Sequence, residues 1–258
     1  MTIKISGFNP NASPPVGIPQ YGTAPTYYAV TDGTNDGGTG LVSIAWSAPA
    51  YSTTIAFVTS NTAAATTYGY MNGWTGQIAA QNNGANWWEY IWVSTIENAS
   101  STTDVSTINT ALPGRSVSTI HALNGIGTVS PVQVGTYQQF GNGYSNTSQL
   151  SSYTLNNTEF GVLCMGVEGH NYAGGNITSV TSSSGLVWTK KSSKSYYNDV
   201  GNGGGSLFQT CEVWYAKNDT GNDIINDTIF ITYAGNFDDQ TNVIVNFGGV
   251  DFTNPWAV

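Results

Sequence analysis

Apolar and polar residues alternate along much of this chain with a period of two. The pattern is plain in "TIAFVTS" (54–60), "WWEYIWV" (87–93) and "VSTIHAL" (117–123). A second set of strand-like runs follows in "FGVLCMGV" (160–167), "LVWTKK" (186–191), "LFQTCEVWYA" (207–216), "TIFITYA" (228–234) and "NVIVNFGGV" (242–250). A period of two sends successive side chains to opposite faces of an extended strand. The runs are rich in β-branched and aromatic residues and are bounded by Gly, Asn, Asp and Ser clusters, which is turn chemistry. No stretch sustains apolar residues at i, i+3, i+4 and i+7, so no helix is expected. The pattern predicts an all-β fold.

The strand-like blocks recur in order. "TIAFVTS" falls on "FGVLCMG", and "NGWTGQ" (72–77) falls near "GLVWTKK". "WEYIWVST" falls on "TCEVWYAK", "DVSTINT" (104–110) near "DTIFITY" (227–233), and "VSTIHALNGI" (117–126) on "VIVNFGGV". One such match is expected by chance in so biased a composition; five in order point to a duplicated unit. The expectation is therefore two tandem related β-sandwich units, jelly-roll or immunoglobulin-like, over 41–126 and 159–258. Residues 127–158 form the connection, with one or two strands of their own. Residues 1–40 hold five of the nine prolines and end in the Gly-rich "TDGTNDGGTG". Such proline density disfavours helix and central strand alike, so an extended N-terminal arm is expected there.

The blocks "GLVWTKK", "CEVWYAKN" and "NVIVNFGGV" resemble duplicated β-sandwich modules of phage virion and bacterial surface proteins. The resemblance covers mainly residues 160–251 and carries no catalytic motif. It implies a structural or adhesive module.

Composition narrows the function. Only 8% of residues are charged, against the roughly 25% usual in soluble domains. Yet 40% are apolar and 12% aromatic, so this is a folded chain with a neutral hydrogen-bonding exterior. The net charge of −9 argues against phosphate-rich nucleic acid as a partner. The one basic cluster, Lys190, Lys191 and Lys194, reads as a solvated loop. The start "MTIKISGFNPNASPPVG" lacks the apolar core and cleavage site of a signal peptide. No run approaches the roughly 18 apolar residues of a membrane helix, so no membrane insertion is expected. An export-like surface without an export signal is reconciled by a virion component, made in a host cytoplasm and carried on the particle surface. The seven Asn-X-Ser/Thr sequons carry no information on glycosylation in a chain this rich in Asn, Ser and Thr.

Catalytic chemistry is poorly represented. His121 and His170 have no nucleophile partner in sequence, and no G-x-S-x-G occurs. Cys164 and Cys211 read as buried free thiols; a bridge is open to them if their strands are neighbours. Zinc spacing is absent. "DGTNDGG" (32–38) opens like a calcium loop, but Thr34 and Ser43 stand where ligands are needed. Ca²⁺ remains an option only where the loops carrying Asp219, Asp223, Asp227, Asp238 and Asp239 meet at one end of a sandwich. Glu89 and Glu212 fall within about a residue of each other in the overlay, which suggests a repeated structural role on a solvent face rather than the paired acids of a glycosidase. No enzyme is expected, and no cofactor.

Sugar recognition has better material. Aromatic rings cover pyranose faces while neutral polar groups bond hydroxyls. Tyr70, Trp74 and Trp87, among Tyr68, Asn82, Asn83 and Asn86, are the candidate glycan or partner-binding residues. Alternation puts Trp88 and Trp92 on the core face and Trp87 opposite. The leading expectation is a structural protein of the virion exterior, most simply capsid decoration through the arm and β-sandwich contacts. Its partners are capsid or other virion proteins, with a homo-oligomer, trimeric on the lattice argument. The alternative is a receptor- or carbohydrate-binding tail fibre or adhesin with a glycan receptor.

Overall fold

The computed structural model describes residues 27–32, 40–60, 70–71, 74–83, 88–110, 115–125, 133–134, 147–169, 177–198, 207–234 and 239–257. Their secondary structure is all strand. The first half carries Tyr27–Asp32 (β1), Gly40–Ala48 (β2), Ser52–Ser60 (β3), Tyr70–Met71 (β4), Thr75–Asn83 (β5), Trp88–Asn98 (β6), Thr102–Thr110 (β7) and Arg115–Asn124 (β8). The second carries Gln133–Val134 (β9), Thr147–Leu155 (β10), Glu159–Gly169 (β11), Ile177–Ser182 (β12), Thr189–Asn198 (β13), Leu207–Lys217 (β14), Ile224–Tyr233 (β15) and Asp239–Gly248 (β16). Among the described residues no helix is long and apolar enough to cross a membrane.

Four antiparallel sheets result. One five-stranded sheet has the order β1-β8-β3-β6-β5 and the other β9-β16-β11-β14-β13; the three-stranded sheets run β2-β7-β4 and β10-β15-β12. The second order in each pair is the first with every label raised by eight. Residues 27–32, inside the segment expected as an arm, form an edge strand on β8, Tyr27 opposite Ile120. Residues 1–26 lie outside the described set. The stretch expected as the connection carries β9, paired to β16, and β10, a full strand of the second small sheet.

The sheets stack in four layers, and three cores lie between them. Trp46 of β2 packs with Val58 and Ile120 between the first small sheet and the first large one. Leu150 and Tyr153 of β10 pack with Leu163, Trp214 and Ile231 between the second pair. The third core joins the two large sheets: Ile55, Phe57, Ile91, Val93 and Val117 meet Phe160, Val162, Val213, Val243 and Phe247. Each fully buried side chain of this size contributes about 1.5–3 kcal/mol. Both large sheets are thus covered on both faces. That is why β3 and β11 are buried along nearly their whole described length, whereas β10 and β15 alternate buried and exposed.

The three lysines expected in a loop are on a strand. Lys190, Lys191 and Lys194 belong to β13, which edges the second large sheet. Charged side chains on an edge strand discourage pairing with a further chain, so their spacing has a structural reason. Gly161 of β11 has a packing reason as well. A Cβ there falls 2.4 Å from the Tyr153 hydroxyl, which itself donates to Asn246 Oδ1 at 3.1 Å. Gly161→Ala is expected to cost roughly 1–3 kcal/mol by overpacking, read as a lower denaturation midpoint at unchanged slope.

Candidate functional site

The ionisable groups inside the layers have structural partners. Glu212, placed on a solvent face by the sequence pattern, is instead fully buried between the second large and small sheets. Its neighbours on β14, Cys211 and Val213, face the central core, so alternation turns Glu212 the other way. Oε1 accepts from the Ile177 backbone N–H at 3.0 Å and Ser193 Oγ at 3.2 Å; Oε2 accepts from Trp214 Nε1 at 3.0 Å and pairs with Lys190 Nζ at 2.9 Å. Lys190 also donates to the Ile177 carbonyl at 3.2 Å and lies 5.2 Å from the Trp214 ring centroid. Nearby, the Tyr233 hydroxyl donates to Gln240 and contacts Ser148 Oγ at 3.3 Å. Burial, with the Glu212 charge adding, pushes the Tyr233 hydroxyl well above its ordinary range, so this phenol stays protonated. Every atom of the Glu212 carboxylate is occupied, which suits a brace and not a proton shuttle.

His121 is likewise enclosed, at the seam of the two large sheets. Nε2 lies 3.3 Å from Ser192 Oγ, and the ring sits 5.6 Å from that of Trp256. Burial first, then the Lys191 charge, lowers its pKa from 6.5 to about 3, so it is neutral in the native state. The unfolded chain binds a proton here below pH 6.5 and the folded chain does not until about 3. Stability is therefore full above pH 6.5 and falls as pH drops toward 3, at about 1.4 kcal/mol per unit. At pH 4.5 the loss is about 2–3 kcal/mol. His121→Phe should shrink the drop in unfolding free energy between pH 7 and 4.5 by that amount; an unchanged drop would refute the assignment.

Of the described acidic residues, Asp223 and Asp239 stand beyond opposite ends of β15. Asp219 and Asp223 precede β15, while Asp239 opens β16 beyond its far end; Asp238 lies outside the described residues. Ten residues of β15 separate the loops, about 33 Å of extended chain. Asp227, within β15, is held by Ser183 Oγ at 2.6 Å, Ser184 N–H at 2.9 Å and Ser184 Oγ at 2.7 Å. Burial raises its pKa, but those hydrogen bonds outweigh it and the net shift is downward. Among the described residues no three His, Cys, Asp or Glu side chains are grouped to hold a metal ion. The 32–38 loop beyond Asp32 lies outside them. Cys164 and Cys211 are buried thiols on adjacent strands, not joined in a disulfide, their sulfurs 3.6 Å apart. Cys164 stands opposite Val213 and Cys211 opposite Gly166, so they are diagonal, not facing, neighbours.

Of the three aromatic residues read from the sequence as a binding patch, Trp74 has a described side chain. Trp74 is 7% exposed and packs edge-on to Trp46 with centroids 5.3 Å apart, so its ring is a core element. Tyr70 is placed by its backbone in β4, opposite Asn109. Trp87 lies outside the described residues.

A concave surface opens elsewhere, at the end where the halves' turns converge. Tyr51 (φ 59°) precedes β3 and Thr158 (φ 68°) precedes β11; their N–H groups donate to Asn98 and Asn218 carbonyls at 2.6 and 2.9 Å. Gly125 and Gly249, following β8 and β16, lie against each other at positive φ. Beside them is a cavity of 720 Å³ lined by Asn157, Thr158, Asp219, Val250, Asp251 and Phe252, among others. A second, of 400 Å³, shares Asp219 and Phe252 and adds Tyr215, Thr220 and Pro255. Under them Phe160 stacks on Tyr215 at 5.3 Å and lies 6.4 Å from Phe252; Trp256 meets both Phe160 and Tyr215 edge-on. Tyr215 and Phe252 are half-buried, anchored below and open above. Tyr215 falls within the strand run "LFQTCEVWYA", but nothing periodic marks its partners: Phe252 follows the last strand, and Asp219 reads only as part of an acidic cluster. Comparison with known proteins adds no relative: no family model, curated protein or solved structure matches the chain.

Proposed function

We propose that this chain is a non-enzymatic structural protein of a virion exterior, decorating or stabilising a capsid. The observation that carries the reading is the layered body itself. Two large sheets buried on both faces join the halves into one block, while only 8% of residues are charged. Such a block offers neutral surface for contact with other macromolecules. The segment before β1 would reach neighbouring subunits, in a symmetric assembly set by the capsid lattice.

We infer too that the body arose by duplication of an eight-stranded unit. Its support is the common strand order at an offset of eight, the paired corners at Tyr51 and Thr158, and the five sequence blocks, each of which falls on or beside strands eight apart. Mass spectrometry of particles purified from cells expressing the gene is expected to find this chain at a copy number comparable to the major capsid protein. Particles that lack it would remove the proposal.

A further inference from the structure

We propose that the two joined cavities at the convergent-turn end form a binding groove for a neutral oligosaccharide. This goes beyond a purely structural role and concerns a site away from Tyr70, Trp74 and Trp87. Three observations carry it. First, the larger cavity, 720 Å³, falls within the about 300–1,000 Å³ typical of small-ligand sites, and the second continues it past Asp219 and Phe252. The shape suits a ligand of successive rings more than a compact one.

Second, the floor and rim have complementary chemistry. Tyr215 and Phe252 present ring surface fixed from beneath by Phe160 and Trp256, so little side-chain freedom remains to be lost on binding. Around them Asn157, Thr158, Thr220, Asp219 and Asp251 supply hydroxyls, an amide and carboxylates. Apolar ring faces with hydroxyl edges meet that arrangement on both counts.

Third, the charges at the rim are already engaged. Asp219 pairs with Lys217 at 3.2 Å and Asp251 Oδ1 accepts from the Thr253 N–H at 2.8 Å; behind the lining, Asp223 Oδ1 accepts from the Asn157 N–H at 2.8 Å. Lys217, the cation at the groove, is therefore paired, and a chain of net charge −9 repels anions. The same bonds tie down the loops, as does Asn157 Oδ1 accepting from the Gly221 N–H at 3.1 Å. A preformed, uncharged-ligand site follows.

Saturation-transfer NMR on the full chain, with maltotriose, cellotriose, tri-N-acetylchitotriose and anionic sialyllactose as probes, tests this. At least one neutral trisaccharide is expected to bind with millimolar or better affinity. Phe252→Ala should weaken that binding about tenfold or more. Because Phe252 also packs on Phe160, Asp219→Asn serves as the second variant: its side chain is 58% exposed, its melting temperature should match the parent, and binding should fall several-fold. Silence from all neutral probes, binding unaffected by both variants, or preference for sialyllactose would each overturn the proposal.

Discussion

Gly125→Ala is expected to lower the melting temperature of this protein by about 5–15 °C, and Gly185→Ala by only a few degrees. Both glycines have positive φ, +107° and +81°, a region costly for a side chain. Their surroundings differ. At Gly185 an added Cβ meets nothing within 4 Å. At Gly125 it falls 2.3 Å from the Gly249 carbonyl oxygen and 3.2 Å from its carbon. The obstacle is backbone, and the backbone is tied: Asp251 N–H donates to the Asn124 carbonyl at 3.1 Å, and Ala257 N–H to the Ala122 carbonyl at 2.9 Å. Asn124 Nδ2 adds a bond to the Asn254 carbonyl at 2.6 Å. Conformational strain of about 1–2 kcal/mol and overpacking of about 1–3 kcal/mol add at one site and not at the other. Thermal melts of the two variants decide the matter. Equal losses would show that φ alone governs Gly125 and that the corners do not bear on each other.

Glu212→Ala is the second large effect, a loss of about 3 kcal/mol, with a melting temperature lower by about 6–12 °C. The substitution strands the Ile177 N–H, Trp214 Nε1 and Ser193 Oγ together, and removes the counter-charge of Lys190. Losing one partner of a buried pair costs about 3–5 kcal/mol. The lower figure applies because Lys190, 38% exposed, can turn to solvent. Lys190→Met is expected to hurt at least as much, since the carboxylate it leaves is fully enclosed. The double variant Glu212→Ala with Lys190→Met should be more stable than the sum of the two single losses implies. Denaturant titrations of the four proteins test this, and strict additivity would show that the pair is not coupled.

These two expectations rest on features of different legibility. The corner at Gly125 was visible as a closing Gly in the overlay of "VSTIHALNGI" on "VIVNFGGV", but not its contact with Gly249. Glu212 reads as a strand residue on a solvent face, whereas β14 is covered on both sides and alternation there chooses between two cores. A signal is present in the adjacent strand: "FGVLCMGV" is a nearly continuous apolar run, the mark of a strand with no solvent face. The cluster Lys190, Lys191 and Lys194 reads by charge as a solvated loop although "LVWTKK" itself reads as strand; on β13 the charge marks an edge.

Strand identity and the all-β class follow from the chain's own alternation, since both depend on the neighbouring residues alone. The blocks that recur five times in order are equally local. What the tertiary structure alone decided is which strand faces are covered twice, that Trp74 belongs to a core, that the acidic loops lie at opposite ends of β15, and that Tyr215, Asp219 and Phe252 share one groove. Each of these is a relation between residues far apart in the chain. Periodicity assigns a side chain to one of two faces, but only the stacking of sheets determines what that face meets.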